Sequence, residues 1–189
     1  KKSIERLKIV QSKLANSKKK SSIVRYFVDS EFINIIVTTA STQKHFQKKI
    51  KKKELSKLIQ KYRFSIINFK DDYKLKSLEL YKILFKEIDI FLQKEEISEI
   101  YLALDQKLRY LPFSSLIDGK KYLIEKYNIS IYPENSNQDF FDKSKSIDFF
   151  AGLGLTKSIS GYDALPNVKK EINDIHFTFN DKNSNEIFI

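Results

Sequence analysis

The chain has no cysteine, no methionine and no tryptophan, and its 189 residues include only 4 Gly and 3 Pro. Without cysteine it can supply neither a thiol nucleophile nor a thiolate metal ligand, and it has no disulfide framework. The scarcity of Gly and Pro excludes collagen-like sequence and long low-complexity linkers. No apolar run approaches the ~20 residues needed to cross a bilayer, and the N-terminus has no apolar block of the signal-peptide kind. The expectation is a soluble, cytoplasmic protein. Because Lys1 stands where a translation start would be Met, the sequence is expected to be a piece of something longer.

What is present is the material of a packed core: 41% hydrophobic residues and 13% aromatics, enough for one domain. The net charge of +11 is unevenly placed. Residues 1–63 hold 18 Lys and Arg against 4 Asp and Glu, whereas residues 64–189 hold 17 against 20. The basic residues are 31 Lys and only 4 Arg. Arg is the residue suited to bidentate phosphate and base contacts, so its scarcity weakens a specific nucleic-acid reading.

The hydrophobic period changes along the chain. Ile4, Leu7, Val10 and Leu14 recur at helical spacing, and a polar, Lys-rich stretch follows at 16–22. Segments 23–28, 32–40 and 44–50 are rich in β-branched and aromatic residues and are divided by short polar turns, which predicts a three-stranded antiparallel meander. Leu55, Leu58, Ile59, Tyr62 and Ile66 predict a helix, and Leu78, Tyr81, Phe85, Ile88 and Leu92 a second, longer one. The apolar runs 100–104 and 149–155 predict strands covered on both faces. Between them lie a helical turn at 122–127, a short strand at 129–132 and a polar loop at 133–146. Pro166 then opens a helix bearing Val168, Ile172, Ile175 and Phe179 on one face, and 186–189 begins another strand. Strand, helix and strand in that order are the mark of an α/β sheet.

Four segments in this order resemble a known family. They are the helix at 9–14 followed by Ser22-Ile-Val-Arg-Tyr-Phe-Val28, the stripe at 80–85, the motif Asp105, Leu108, Leu111, Pro112, Phe113 and Leu116 with Asp118-Gly119-Lys120 behind it, and Ala164-Leu165-Pro166 with Glu171. Together they resemble the N-terminal portion of a CHAT domain, the caspase-like cysteine protease module found beside TPR repeats in bacterial proteins. One departure is Leu104-Asp105-Gln106, where the family usually has Pro-Asp-Gly. The resemblance implies an α/β fold with an incomplete caspase-like mixed sheet, preceded by the antiparallel meander and two helices. It implies a linker helix over 1–21, leading from an upstream region of TPR type, and the CHAT portion over 22–189. The family's catalytic His and Cys fall after later strands, so they are expected beyond Ile189. No cofactor is implied. The expected partners are the remaining half of the CHAT domain, the upstream region and, in the intact protein, a polypeptide substrate.

The candidate residues each have a plainer alternative. His45 and His176 match no family motif and are read as surface or boundary histidines. Asp105 follows a buried strand, as α/β catalytic acids do, but is read as a turn residue bonding local backbone amides. Tyr110, Phe113, Tyr122, Tyr127 and Tyr132 could stack bases but are read as core packing. Gly152 and Gly154 lack the rest of a dinucleotide fingerprint and are read as a close approach of the strand to its neighbour. The connection with Thr156, Lys157, Ser158, Tyr162 and Asp163 is expected to border the substrate cleft, because it follows the carboxyl end of a sheet strand.

The alternatives are a basic nucleic-acid-binding or protein-interaction module and a degenerate protease scaffold. The charge distribution predicts only weak nucleic-acid binding, falling steeply with added salt and blind to base sequence. Titrating RNAs of unrelated sequence at two salt concentrations checks this, and tight, sequence-selective binding at physiological salt would contradict it.

Overall fold

The computed structural model describes residues 2–132, 151–154, 156–158, 161, 163–178 and 186–188. They fall into two compact units, Lys1–Phe141 and Asp142–Ile189. Among the described residues no helix is long and apolar enough to cross a membrane.

The first unit opens with α1 (Lys2–Ala15), then β1 (Ser21–Val28), β2 (Phe32–Thr38) and β3 (Gln43–Lys49), followed by α2 (Lys52–Ile67), α3 (Tyr73–Leu84) and α4 (Lys86–Lys94). β4 (Glu99–Ala103), two short 3-10 turns, α5 (Leu123–Lys126) and β5 (Asn128–Ile131) complete it. The meander runs antiparallel as its spacing predicts, with Tyr26 opposite Ile35 and Ile35 opposite Phe46. It is also one half of a single mixed sheet of order β3-β2-β1-β4-β5, in which β4 lies parallel to both β1 and β5.

Side-chain alternation gives the sheet two covered faces. Val24, Tyr26, Ile33, Ile35, Val37, Ile100 and Leu102 enter a core shared with α2, α3 and α4. Ile23 and Tyr101 point the other way and meet Leu14 of α1. β4 is therefore buried on both sides, as its continuous apolar run requires. β3 stands at one end of that order and carries exposed Lys44, Gln47 and Lys49, the polar dressing that keeps a free edge from pairing with other chains.

The long helix expected over 78–92 is instead two helices. Phe85 leaves the helical region at φ −133°, and its side chain is buried in the core. The carbonyl of Leu84, just before the break, accepts a hydrogen bond from the Tyr26 hydroxyl at 3.1 Å. Periodicity survives such a bend because the stripe stays on one side, so the break is invisible in spacing alone.

After the break, α4 delivers Asp89 into the interior, only 2% exposed. Its carboxylate accepts hydrogen bonds from the Tyr81 hydroxyl at 2.6 Å, from the Tyr127 hydroxyl and from Gln93, and it is ion-paired with Lys126. Lys126 also bonds Asp118 at 3.0 Å, and Asp118 accepts the amides of Lys120 and Lys121 across a turn in which Gly119 takes φ +106°. Burial alone would raise the Asp89 carboxyl, but the bonds from Lys126, Tyr127 and Tyr81 outweigh it and hold the group below the usual range. Asp118 behaves likewise: burial opposes ionisation, and the backbone amides and Lys126 bring it down to about 2. Burial, then Asp89, pushes the Tyr81 and Tyr127 hydroxyls up, while Lys126 is raised by its two carboxylates against its own burial.

Phe113 is 3% exposed and its ring centre lies 5.3 Å from that of Tyr26, under the middle of the sheet. Truncating such a side chain typically costs ~3–5 kcal/mol, against about 5–15 kcal/mol for a whole domain. Phe113→Ala should therefore melt far below the parent, while Lys120→Ala, on the exposed turn, should change stability by less than ~0.5 kcal/mol. Thermal melts of the two variants check this.

The buried network sets a pH window. Carboxylates depressed in the folded state contribute stability above their unfolded value of 3.8 and lose it as pH falls toward the folded value, about 2 for Asp118. Groups raised in the folded state, Lys126 and the two tyrosines, contribute below their unfolded values of 10.5 and 10.0 and lose it at higher pH. Denaturant melts should thus show these contributions constant from about pH 5 to 9, with losses on both sides. Lys126→Met leaves Asp89 buried without its cation, and should cost about 3 kcal/mol and shift acid unfolding to higher pH. An unchanged acid limb would show that the pair does not matter to the fold.

Candidate functional site

The motif at 105–116 occupies the carboxyl end of β4. Asp105 accepts the backbone amide of Val28 at 3.1 Å, which corrects the expectation of a local turn bond. The reason is the parallel pairing: β1 and β4 end side by side, with Arg25 opposite Ala103, so the first acid past β4 meets the last amide of β1. Arg109 donates from Nε to the Leu104 carbonyl at 2.9 Å and steadies the 3-10 turn Gln106–Tyr110. Leu108, Leu111, Phe113 and Leu116 are buried, and Pro112 between them is exposed.

Ser115 then fastens the motif to the helical layer. Its carbonyl accepts the Tyr62 hydroxyl of α2 at 2.8 Å and the Ser77 hydroxyl of α3 at 3.1 Å. The Ser77 oxygen in turn accepts the Ile117 amide at 2.9 Å. Between α2, α3 and this segment lies a cleft of about 520 Å³, walled by Tyr62, Ile66, Tyr73 and Tyr122 and rimmed by Phe69. Phe69 is 93% exposed and has φ +50°, a left-handed conformation that an aromatic residue seldom adopts.

The five aromatic residues expected in the core divide. Phe113 and Tyr127 are buried and Tyr122 and Tyr132 are half-buried, but Tyr110 is 58% exposed. The 3-10 turn places Tyr110 on the outer side of the motif while its neighbours Leu108 and Leu111 take the inner side. Arg63 of α2 and Lys107 lie over its ring at 5.4 and 5.6 Å.

The second unit consists of β6 (Ala151–Leu153), α6 (Val168–Thr178) and β7 (Glu186–Phe188). β6 and β7 pair in parallel, with Gly152 opposite Ile187, so the strand begun at 186 is the return strand of a β-α-β unit. A Cβ on Gly154 would lie 2.3 Å from Val168 and 2.5 Å from Ile172, both on α6, so only glycine allows this approach. Of the residues expected to border a cleft, Thr156 is half-buried, and Lys157, Ser158 and Asp163 are exposed. Tyr162 lies outside the described residues, as do the loop at 133–146 and Phe179. Leu165 and Pro166 form the exposed turn before α6, where the Val168 amide bonds the Leu165 carbonyl at 3.2 Å. Helix α6 thus starts two residues after Pro166 rather than at it. Glu171 is exposed, Ile172 is buried, and Ile175, expected on the buried face, is 40% exposed.

His45 sits exposed on β3 with Nε2 3.0 Å from the Asn34 side-chain oxygen, and His176 lies in α6. Among the described residues no three His, Asp or Glu side chains converge as metal ligands would. Polar groups such as Asp105, Tyr62 and Ser77 therefore fasten elements together, and Lys157, Ser158 and Asp163 after β6 are exposed.

The family model described as the CHAT domain matches residues 75–185, more than half of the chain. That stretch takes in most of α3, α4, the buried network, the motif and the β6-α6 connection. No curated protein matches the chain. The ordered motif, the sheet that it closes and the extent of the match lead to one conclusion: the chain belongs to the CHAT domain family.

Proposed function

We propose that this chain is the non-catalytic, N-terminal part of a CHAT cysteine endopeptidase, shaping and bordering a cleft that residues beyond Ile189 complete. The observation that carries the reading is the parallel β6-α6-β7 unit, whose β6 and α6 lie inside the family-matched stretch, in a chain with no cysteine. In α/β sheets ligands bind beyond the carboxyl ends of strands, and 156–163 leaves β6 at that end. In this family a His and a Cys follow successive later strands, the imidazole helping to form the thiolate that attacks a peptide carbonyl. The first unit then acts as a buttress, and its partners are the second half of the CHAT domain, an upstream region of TPR type and a polypeptide substrate.

Two measurements test this. The 189-residue chain, assayed against a peptide library, should show no turnover; hydrolysis that survives replacement of both histidines would overturn the mechanism. The reading frame should continue past Ile189 into strands ending in His and then Cys, and a polypeptide extended to include them should cleave peptides in a thiol-dependent way. A frame without those residues would point to a degenerate scaffold.

A further inference from the structure

A second pocket, of about 230 Å³, lies between α2 and the turn at 106–110, lined by Ser56, Ile59, Gln60, Arg63, Lys107 and Tyr110. Ile59, itself buried, lines it beside the polar groups of Ser56, Gln60, Arg63 and Lys107 and the ring of Tyr110. Two cations meet over one ring there, with Arg63 5.4 Å and Lys107 5.6 Å from the centre of Tyr110. No carboxylate among the described residues lines the pocket. Among the described residues none of Ser56, Gln60, Arg63, Lys107 and Tyr110 uses its side chain in a hydrogen bond or ion pair. The surroundings add to the field: residues 51–63 hold five Lys and one Arg against Glu54 alone, and among the described residues none of those cations is paired with a carboxylate.

Like charges gathered without a counter-ion repel each other, and the face of one tyrosine offsets this only in part. An anion placed between them removes the repulsion. The donors select its kind. A guanidinium fork, an ammonium, an amide and two hydroxyls offer more hydrogen bonds and more charge than one carboxylate can use. A phosphomonoester, with three terminal oxygens and a charge near −2, matches them. We propose that this pocket between α2 and the motif turn is a phosphate-binding site, taking a phosphomonoester on Arg63 and Lys107, with Ser56, Gln60 and the Tyr110 hydroxyl as neutral donors. It lies wholly in the first unit and does not rest on the protease reading.

The test is calorimetric titration of the full chain with inorganic phosphate, adenosine monophosphate and acetate, at constant ionic strength near neutral pH. Saturable one-site binding is expected for both phosphates, with acetate much weaker. Arg63→Ala and Lys107→Ala should each weaken phosphate binding roughly tenfold, the order expected of a charged hydrogen bond. Lys82→Ala, which removes the same charge from an exposed position on α3, should leave it within about twofold. All three replaced side chains are exposed, so unchanged thermal melts should accompany these results. Tighter binding of the nucleotide than of phosphate assigns the site to nucleotides, and equal binding to the phosphate group alone. Absence of saturation, acetate binding as well as phosphate, or Lys82→Ala weakening binding as much as Arg63→Ala would each overturn the proposal.

Discussion

The parallel pairing of β1 with β4 is the constraint from which the first unit follows. Two parallel neighbours cannot be joined by a tight turn, so the chain leaving β1 must travel back to the same end before β4 can begin. It does so through two further strands and three helices. The strands extend the sheet on the free side of β1, and the helices cover one face. The opposite face of the β1–β4 pair would be bare but for α1, whose Leu14 lies on Ile23 and Tyr101. β4 ends up between two strands and two layers, which is why its residues are apolar in succession and not in alternation.

That pairing also explains the family motif. Where β1 and β4 end together, the last amide of β1 has no strand partner on the β4 side, and Asp105 supplies the acceptor. The chain then has to leave the sheet while keeping four apolar side chains inside. Two 3-10 turns about Pro112 do this, presenting Leu108 and Leu111, then Phe113 and Leu116, to the same core. The Tyr62 and Ser77 hydroxyls at Ser115 satisfy the polar backbone that such a tight path exposes among the helices. The motif is thus a seal between sheet and helical layer, and its one turned-out aromatic, Tyr110, is free to do something else.

What the sequence made legible was what repeats. Alternation in 32–38 places Ile33, Ile35 and Val37 inward, and the unbroken run at 100–104 marks a doubly covered strand; both are fixed by which face is buried. The spacing of Leu108, Leu111, Phe113 and Leu116 marked the seal. Single events were not legible. Phe85 bends a helix without disturbing its stripe. Asp89 looks like an ordinary polar residue on α4 until Tyr81 and the adjacent Lys126 and Tyr127, from two other places in the chain, converge on it. Ile175 fits the pattern of α6 yet is partly exposed, since a periodic stripe does not say how wide the covering surface is. The connection at 156–163 stands out only by its position after a strand, because it carries no catalytic pair of its own.

The distribution of charge connects these points. Asp89 and Asp118, carboxylates with several hydrogen-bond partners in the first unit, are held with Lys126, which among the described residues is the cation paired with both. Glu96, Glu87 and Asp72, acids that pair at the surface of the first unit, hold Lys20, Lys48 and Lys76, and none of these pairs involves a cation of 51–63. The cations of 51–63 therefore keep their full field, and it is strongest where the motif turn adds Lys107 to Arg63. A helix needed only to cover a core could carry glutamates among its lysines at (i, i+4) and gain stability from them. Helix α2 has Glu54 alone, so its outer face keeps the positive field on which the proposed phosphate site depends.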